Sequence, residues 1–351
     1  MKALRLLAGK TAYEQLRSGG LKPEYFTRML AASGGPKWIG IAALDKYLFG
    51  EFFKDRQSPL YTLGASSGAW RLACFAQQDP LAAYERLEEF YIGQRYEVKP
   101  SREEVSRQVR GIVAAILGES GASDIVHNPK IRSHFVVCRG KHLNRVNGKL
   151  ALALGLSLTA ATNLISRRSL GWHFERVVFS LADNQSHFRG LSDLPTRDAA
   201  LTESNLPDVL QATGSIPLLL APVEGIAGAG AGHFYDGGIT DYHFDFALDG
   251  YEGLTLYPHF GADIRPGWFD KSLPWRSAGT NYHNALVLAP TPEYIASLPY
   301  GKIPDREDFK NLDTANRQAF WHKAIAESER LADELHELLQ GRRLPLELFP
   351  Q

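Results

Sequence analysis

Apolar residues along this chain fall into two alternating patterns. Short, mostly apolar runs at residues 26–32, 60–63, 134–138, 177–181, 254–257 and 285–288 have the length of buried strands. Between several of them, apolar positions recur at helical spacing, as in Ile39, Ala42, Ala43, Leu44 and Leu48 after the first run, and Leu72, Phe75 and Ala76 after the second. Two further helices are predicted over 81–96 and 102–117. Strands alternating with helices predict an α/β sandwich with a mostly parallel central sheet. Near the C-terminus, Phe320, Trp321, Ala324, Ile325, Leu331, Leu335, Leu338 and Leu339 mark one long amphipathic helix whose apolar face must lie on the body of the protein. The pattern therefore predicts one main domain over 1–310 and a helical appendage over 311–351.

A stretch at 150–165, LALALGLSLTAATNLI, is apolar for about a dozen residues before threonines and an asparagine interrupt it. It falls short of the roughly 20 residues that a membrane span needs. A buried helix is the expectation, and a helix that meets lipid beside an active site is the alternative. Lys+Arg and Asp+Glu cancel at 39 each, so no global field points to nucleic acid. Cys74 and Cys138 are the only cysteines and read as buried small hydrophobes in a reducing compartment. Residues 1–10 are too short and too charged for the apolar core of a signal peptide, so a cytoplasmic location is expected.

The chemistry begins at Gly64-Ala65-Ser66-Ser67-Gly68, between the strand-like run at 60–63 and a helical stretch. A sharp strand-to-helix turn lifts the central serine hydroxyl clear of the sheet and makes Ser66 a candidate nucleophile. Upstream, Ser33-Gly34-Gly35-Pro36-Lys37 also joins a strand to a helix. Its backbone N–H groups at Gly34 and Gly35 are candidate oxyanion donors. Lys37 is positioned to support that loop or to neutralise an anionic group on a substrate. Downstream, Asp236-Gly237-Gly238 follows Phe234-Tyr235 and a Gly/Ala-rich tract. Asp236 is the candidate proton acceptor, since burial would raise its pKa toward that of a useful base.

These blocks, together with Ala212-Thr213-Gly214-Ser215-Ile216-Pro217, resemble the ordered motifs of the patatin-like phospholipase family over roughly residues 26–245. The resemblance implies a three-layer α/β/α fold, a Ser66–Asp236 dyad without histidine, and an oxyanion hole at Gly34 and Gly35. It also implies hydrolysis of acyl esters, usually lipids, with no cofactor. Lys37 stands where the family usually has an arginine, and Asp241-Tyr242-His243 stands where it usually has an asparagine and a proline. The expected partners are an acyl ester or lipid substrate and a peripheral membrane contact.

Two alternatives remain open from the residues. In an α/β-hydrolase triad, Ser66 and Asp236 would be joined by His259 or His283. A lipid-binding protein on the same fold would lack turnover. Asp236, Asp241, His243 and Asp245 cluster in sequence, but their spacing fits neither a calcium loop nor a zinc pair on one helix, and no metal is expected.

Overall fold

The computed structural model describes residues 2–96, 100–146, 148–182, 186–248, 251–279, 281–341 and 344–349. Its strands are β1 (Leu4–Ala8), β2 (Phe26–Ala31), β3 (Leu60–Ala65), β4 (Ile131–Gly140), β5 (Phe174–Ser180) and β6 (Thr196–Ala200). They continue with β7 (Val223–Ile226), β8 (Gly230–Asp236), β9 (Leu254–Pro258), β10 (Ala285–Pro290) and β11 (Leu346–Leu348). All belong to one mixed sheet in the order β11-β1-β10-β9-β2-β3-β4-β5-β6, with β8 beside β4 and β7 beside β8. The middle of the sheet, β10-β9-β2-β3-β4, is parallel throughout. Its strands are nearly continuous apolar runs because both of their faces are covered. The predicted α/β architecture with a mostly parallel sheet and a helical C-terminal end is the one observed.

Strand β4 is unusually long, and its two edges are used differently. One edge carries β5, antiparallel from His134 to Gly140. The other is shared end to end: β3 runs parallel to Ile131–Val136, and β8 runs antiparallel beside Val137–Arg139. Ala65 is thereby opposite Val136 and Asp236 opposite Val137. The last residue of β3 and the last residue of β8 meet at adjacent positions on one template strand.

The helix Ser67–Phe75 leaves β3 and is buried along its whole length. Its Arg71 guanidinium donates to both oxygens of Asp45, at 2.5 and 2.7 Å, and Tyr84 donates to Asp45 at 2.6 Å. All three side chains are fully buried, and the paired charges fix the helix against the helix Ala42–Tyr47. The long C-terminal helix Thr314–Gln340 is N-capped by Asp313, which accepts from the Asn316 N–H at 2.8 Å. It buries Phe320, Trp321, Ala324, Leu331 and Leu335 against Ala42–Tyr47 and the 3-10 segment Gly35–Ile41. Beyond Gln340 the chain returns as β11, parallel to β1 at the sheet edge, where Glu347 meets Arg5 at 2.6 Å. Residues 342–343 and 350–351 of the expected 311–351 segment lie outside the described residues.

The expectation of a buried helix at 150–165 is corrected. The helix Lys149–Ile165 buries Leu152, Leu156, Thr159 and Asn163 and leaves Leu150, Leu154, Leu158, Leu164 and Ile165 exposed. Mean apolarity predicted burial, but only one face has a layer to pack on. Among the described residues, no helix is long and apolar enough to cross a membrane.

Candidate active site

The turn between β3 and the helix Ser67–Phe75 places Ser66 at φ 54°, ψ −132°. That region is strongly disfavoured for a residue with a Cβ, so the turn holds Ser66 under strain. Gly68 makes the turn feasible: a Cβ there would lie 2.0 Å from the carbonyl oxygen of Ala31 on the neighbouring strand. The strained backbone is clamped from a third direction. The Ser66 N–H donates to Thr213 Oγ at 2.8 Å, and the Thr213 hydroxyl donates to the Val136 carbonyl at 2.6 Å.

The Ser66 hydroxyl donates to Asp236 Oδ2 at 2.8 Å. The other carboxylate oxygen accepts the Gly238 N–H at 2.7 Å, and the Asp236 N–H donates to the Ser215 carbonyl at 2.9 Å. The segment containing Thr213 and Ser215 therefore holds both members of the pair. Ser66 and Asp236 are almost entirely buried. Burial pushes the Asp236 carboxyl above the ordinary carboxylate range; Arg306, the Gly238 N–H, the Ser66 hydroxyl and Lys271 oppose that shift.

The glycine loop lies beside this pair. Gly35 has φ +58°, and a Cβ there would meet Arg306 Nε at 2.8 Å, so the Arg306 side chain packs against the loop backbone. The N–H groups of Gly34 and Gly35 donate to no protein acceptor among the described residues. Ser33, Asp236, Gly238, Tyr242, Trp268 and Arg306 are among the walls of a small chamber of ≈ 10 Å³. That is room for about one water.

A much larger cleft of ≈ 760 Å³ adjoins the chamber and shares Tyr242, Trp268 and Arg306 with it. Lys37 lines this cleft, its ammonium 5.2 Å from the Phe260 ring centroid. Burial lowers the Lys37 pKa, with Asp305 opposing and Arg306 adding to the drop. Lys271 holds its ammonium 3.9 Å from the Tyr242 ring centroid. Crowding by protein atoms, followed by the charges of Arg306 and Lys37, lowers its pKa to about 7. Lys271 is an exposed residue, so water screens part of that shift. Lys37, Lys271 and Arg306 have no ion-pair partner among the described residues.

Nothing in the sequence points to Arg306 or Lys271, because a lone cation far from any motif carries no local signal. Arg306 is delivered by the loop before the C-terminal helix. Asp308 anchors that loop, accepting from the Trp321 indole at 2.9 Å and from Lys302 at 2.6 Å. Thr213 lies within the Ala212–Pro217 segment, but its clamp on Ser66 depends on folding.

The histidines of the triad alternative are not brought to Ser66. His259 is fully buried, with Nδ1 2.5 Å from the Gly261 carbonyl oxygen and its ring 4.3 Å from that of His243. Burial lowers its pKa to about 3, which keeps it neutral. His283 is exposed, on the far side of the sheet order at the start of β10. Neither ring hydrogen-bonds to Ser66 or Asp236 among the described residues. Of the acidic cluster, Asp241 accepts two bonds from Arg176, at 2.7 and 2.8 Å, and Asp245 accepts one from Asn281 at 3.0 Å.

No family model and no curated protein matches the chain. Among solved structures, VipD from Legionella pneumophila is similar over 88% of this chain and 67% of its own, at 12% identity and a TM-score of 0.37. A likeness at that level transfers neither residues nor activity.

The backbone strain at Ser66 has a measurable consequence. Ser66→Ala keeps the Cβ and therefore the strain, whereas Ser66→Gly relieves it. Urea unfolding should find the glycine variant more stable than the alanine variant by about 1 kcal/mol. A less stable glycine variant would mean that the turn carries no strain.

Proposed function

We propose that this chain is a serine acyl hydrolase of the patatin-like kind, acting on acyl esters through Ser66 and Asp236. The direct 2.8 Å hydrogen bond between the two side chains, at a strained strand-to-helix turn, is the observation that supports it most. Asp236 takes the hydroxyl proton as Ser66 Oγ attacks the ester carbonyl. The developing oxyanion is received by the free N–H groups of Gly34 and Gly35, each such donor being worth about 10²–10³ in rate. The proton passes from Asp236 to the departing alkoxide, leaving an acyl-enzyme. Asp236 then deprotonates water for attack on that ester, and its proton returns to Ser66 as the acid leaves. The raised pKa suits both transfers, because a carboxylate at its free value is a poor base.

The chamber at the dyad holds about one water, so an acyl group requires Arg306 or Trp268 to move aside. In this reading the cleft beyond them holds the remainder of the substrate. Lys37, Lys271 and Arg306 line that cleft beside Asp263, Asp305 and Glu307, and, having no ion-pair partner among the described residues, they suit an anionic group on the ester. Being cytoplasmic is part of this reading, and no cofactor is required by its chemistry.

The experiment that tests the dyad compares Asp236→Asn and His259→Ala with wild type on a chromogenic ester. Asp236→Asn should remove nearly all activity, because an amide cannot take the proton. His259→Ala should retain most of its turnover wherever it stays folded. A carboxyl whose pKa is raised by folding stabilises the protein below its unfolded pKa, and that contribution is lost as pH rises through the folded value. Asp236→Asn should therefore melt no lower than wild type at neutral pH. An inactive but folded His259→Ala variant would replace the dyad by a triad.

Arg306 opposes the upward shift of Asp236, so removing its charge should raise that pKa further. The acid limb of the kcat/KM profile for a neutral ester should move to higher pH in Arg306→Gln. An unmoved limb would show that Asp236 is not the titrating base or that Arg306 does not face it.

A further inference from the structure

The helix Lys149–Ile165 presents an apolar ridge to solvent at helical spacing. Leu150 is 82% exposed, Leu154 64%, Leu158 51% and Ile165 87%. Trp172, just beyond, is 66% exposed. Single exposed leucines are ordinary on a protein surface, but a row of them along one helix face marks a contact site.

Charge identifies what the row contacts. Residues 139–173 contain six Lys/Arg and no Asp or Glu. Arg139 and Arg167 are taken up by Glu175 and Asp193, and the Lys141 ammonium donates to the Gly171 carbonyl. Arg145 and Lys149 at the start of the helix, and Arg168 just past its end, are exposed and have no acidic partner among the described residues. Both ends of the ridge are therefore cationic. A second copy laid on this face, parallel or antiparallel, would set cations against cations. An anionic lipid surface accepts leucines at acyl depth, basic side chains at its head groups and a tryptophan at the boundary between them.

We propose that the ridge of Leu150, Leu154, Leu158 and Ile165, with Lys149, Arg168 and Trp172, docks the protein on an anionic bilayer. The helix lies on the membrane, being unable to span it. Its opposite face is built into the wall of the active site. Leu152 and Leu156 belong to a cluster on which Trp268 and Phe269 pack, and Asn163 donates to Asp270 at 2.7 Å. Trp268 lines both the dyad chamber and the cleft. Docking thus sets the helix that backs Trp268 against the surface from which a lipid ester would come. The functional significance rests on the hydrolase reading; the docking itself does not.

The test uses full-length Ser66→Ala protein, so that vesicles stay intact, sedimented with phosphatidylcholine vesicles with and without phosphatidylglycerol. Binding should require phosphatidylglycerol and weaken as salt rises. Leu150→Asp/Leu154→Asp in that background should lower the bound-to-free ratio at least about tenfold. Lys149→Glu/Arg168→Glu should lower it by about tenfold or more. Each substitution lies on an exposed face, and unchanged melting checks the fold. The same pairs made with Ser66 intact should cleave a small soluble ester at the wild-type rate. Absence of binding to anionic vesicles, or unchanged binding by the leucine pair, would overturn the proposal. So would a dimer in light scattering that the leucine pair dissociates, which would make the ridge a self-interface. Failure of the wild type to cleave the soluble ester would count against the hydrolase reading and leave the vesicle result standing.

Discussion

The candidate site depends on one register. Along a single edge of β4, β3 stops at the position opposite Val136 and β8 stops opposite Val137, arriving from the other direction. Two segments 170 residues apart in sequence therefore end side by side, and their next atoms are the Ser66 hydroxyl and the Asp236 carboxylate. A one-residue slip of β8 would turn Asp236 to the other face of the sheet. The pairing is held by backbone hydrogen bonds on β4 and by the Thr213–Ser215 segment, whose Thr213 hydroxyl accepts from Ser66 while donating to Val136. Each of the three elements fixes the other two.

That arrangement carries two local costs, both borne by a large core. Ser66 occupies a backbone region that a Cβ disfavours, and Asp236 is a carboxylate with little water around it. Each is worth on the order of 1–3 kcal/mol, and such costs concentrate where chemistry needs a fixed geometry. The Arg71–Asp45–Tyr84 network behind the serine helix shows the contrasting arrangement. There the buried Asp45 carboxylate is answered by the Arg71 guanidinium and the Tyr84 hydroxyl, and the result is a rigid support. At the front, the charges of Lys37, Lys271 and Arg306 are not answered in that way.

What the sequence made legible follows from what is encoded locally. The central strands were readable because a strand covered on both faces is a continuous apolar run. Ser66 and Asp236 were readable because their turns need particular small residues at fixed spacing. The strands β6 and β11 lie at the edges, and β6 is largely polar, so neither carries such a run. Strand β8 is disguised by its glycines, Gly230 and Gly232. Strand β1 is only five residues long and is interrupted by Arg5, so it carries no clear run of its own. Lys271, just after the Trp268–Asp270 turn, and Arg306, in a loop anchored on the C-terminal helix, reach the site by long-range packing, and nothing near them in sequence announces it. For the helix at 150–165, overall apolarity was visible, while the division into a packed face and an open one required knowing what lies behind it.

The central claim is that folding on β4 makes Ser66 a nucleophile by setting Asp236 against it. The most direct measurement is intact-protein and peptide mass spectrometry after treatment with a fluorophosphonate. The wild type should gain one phosphonyl adduct, at Ser66, and folded Asp236→Asn should gain it far more slowly. A folded wild type that takes no adduct, or takes it at another serine, would contradict the account.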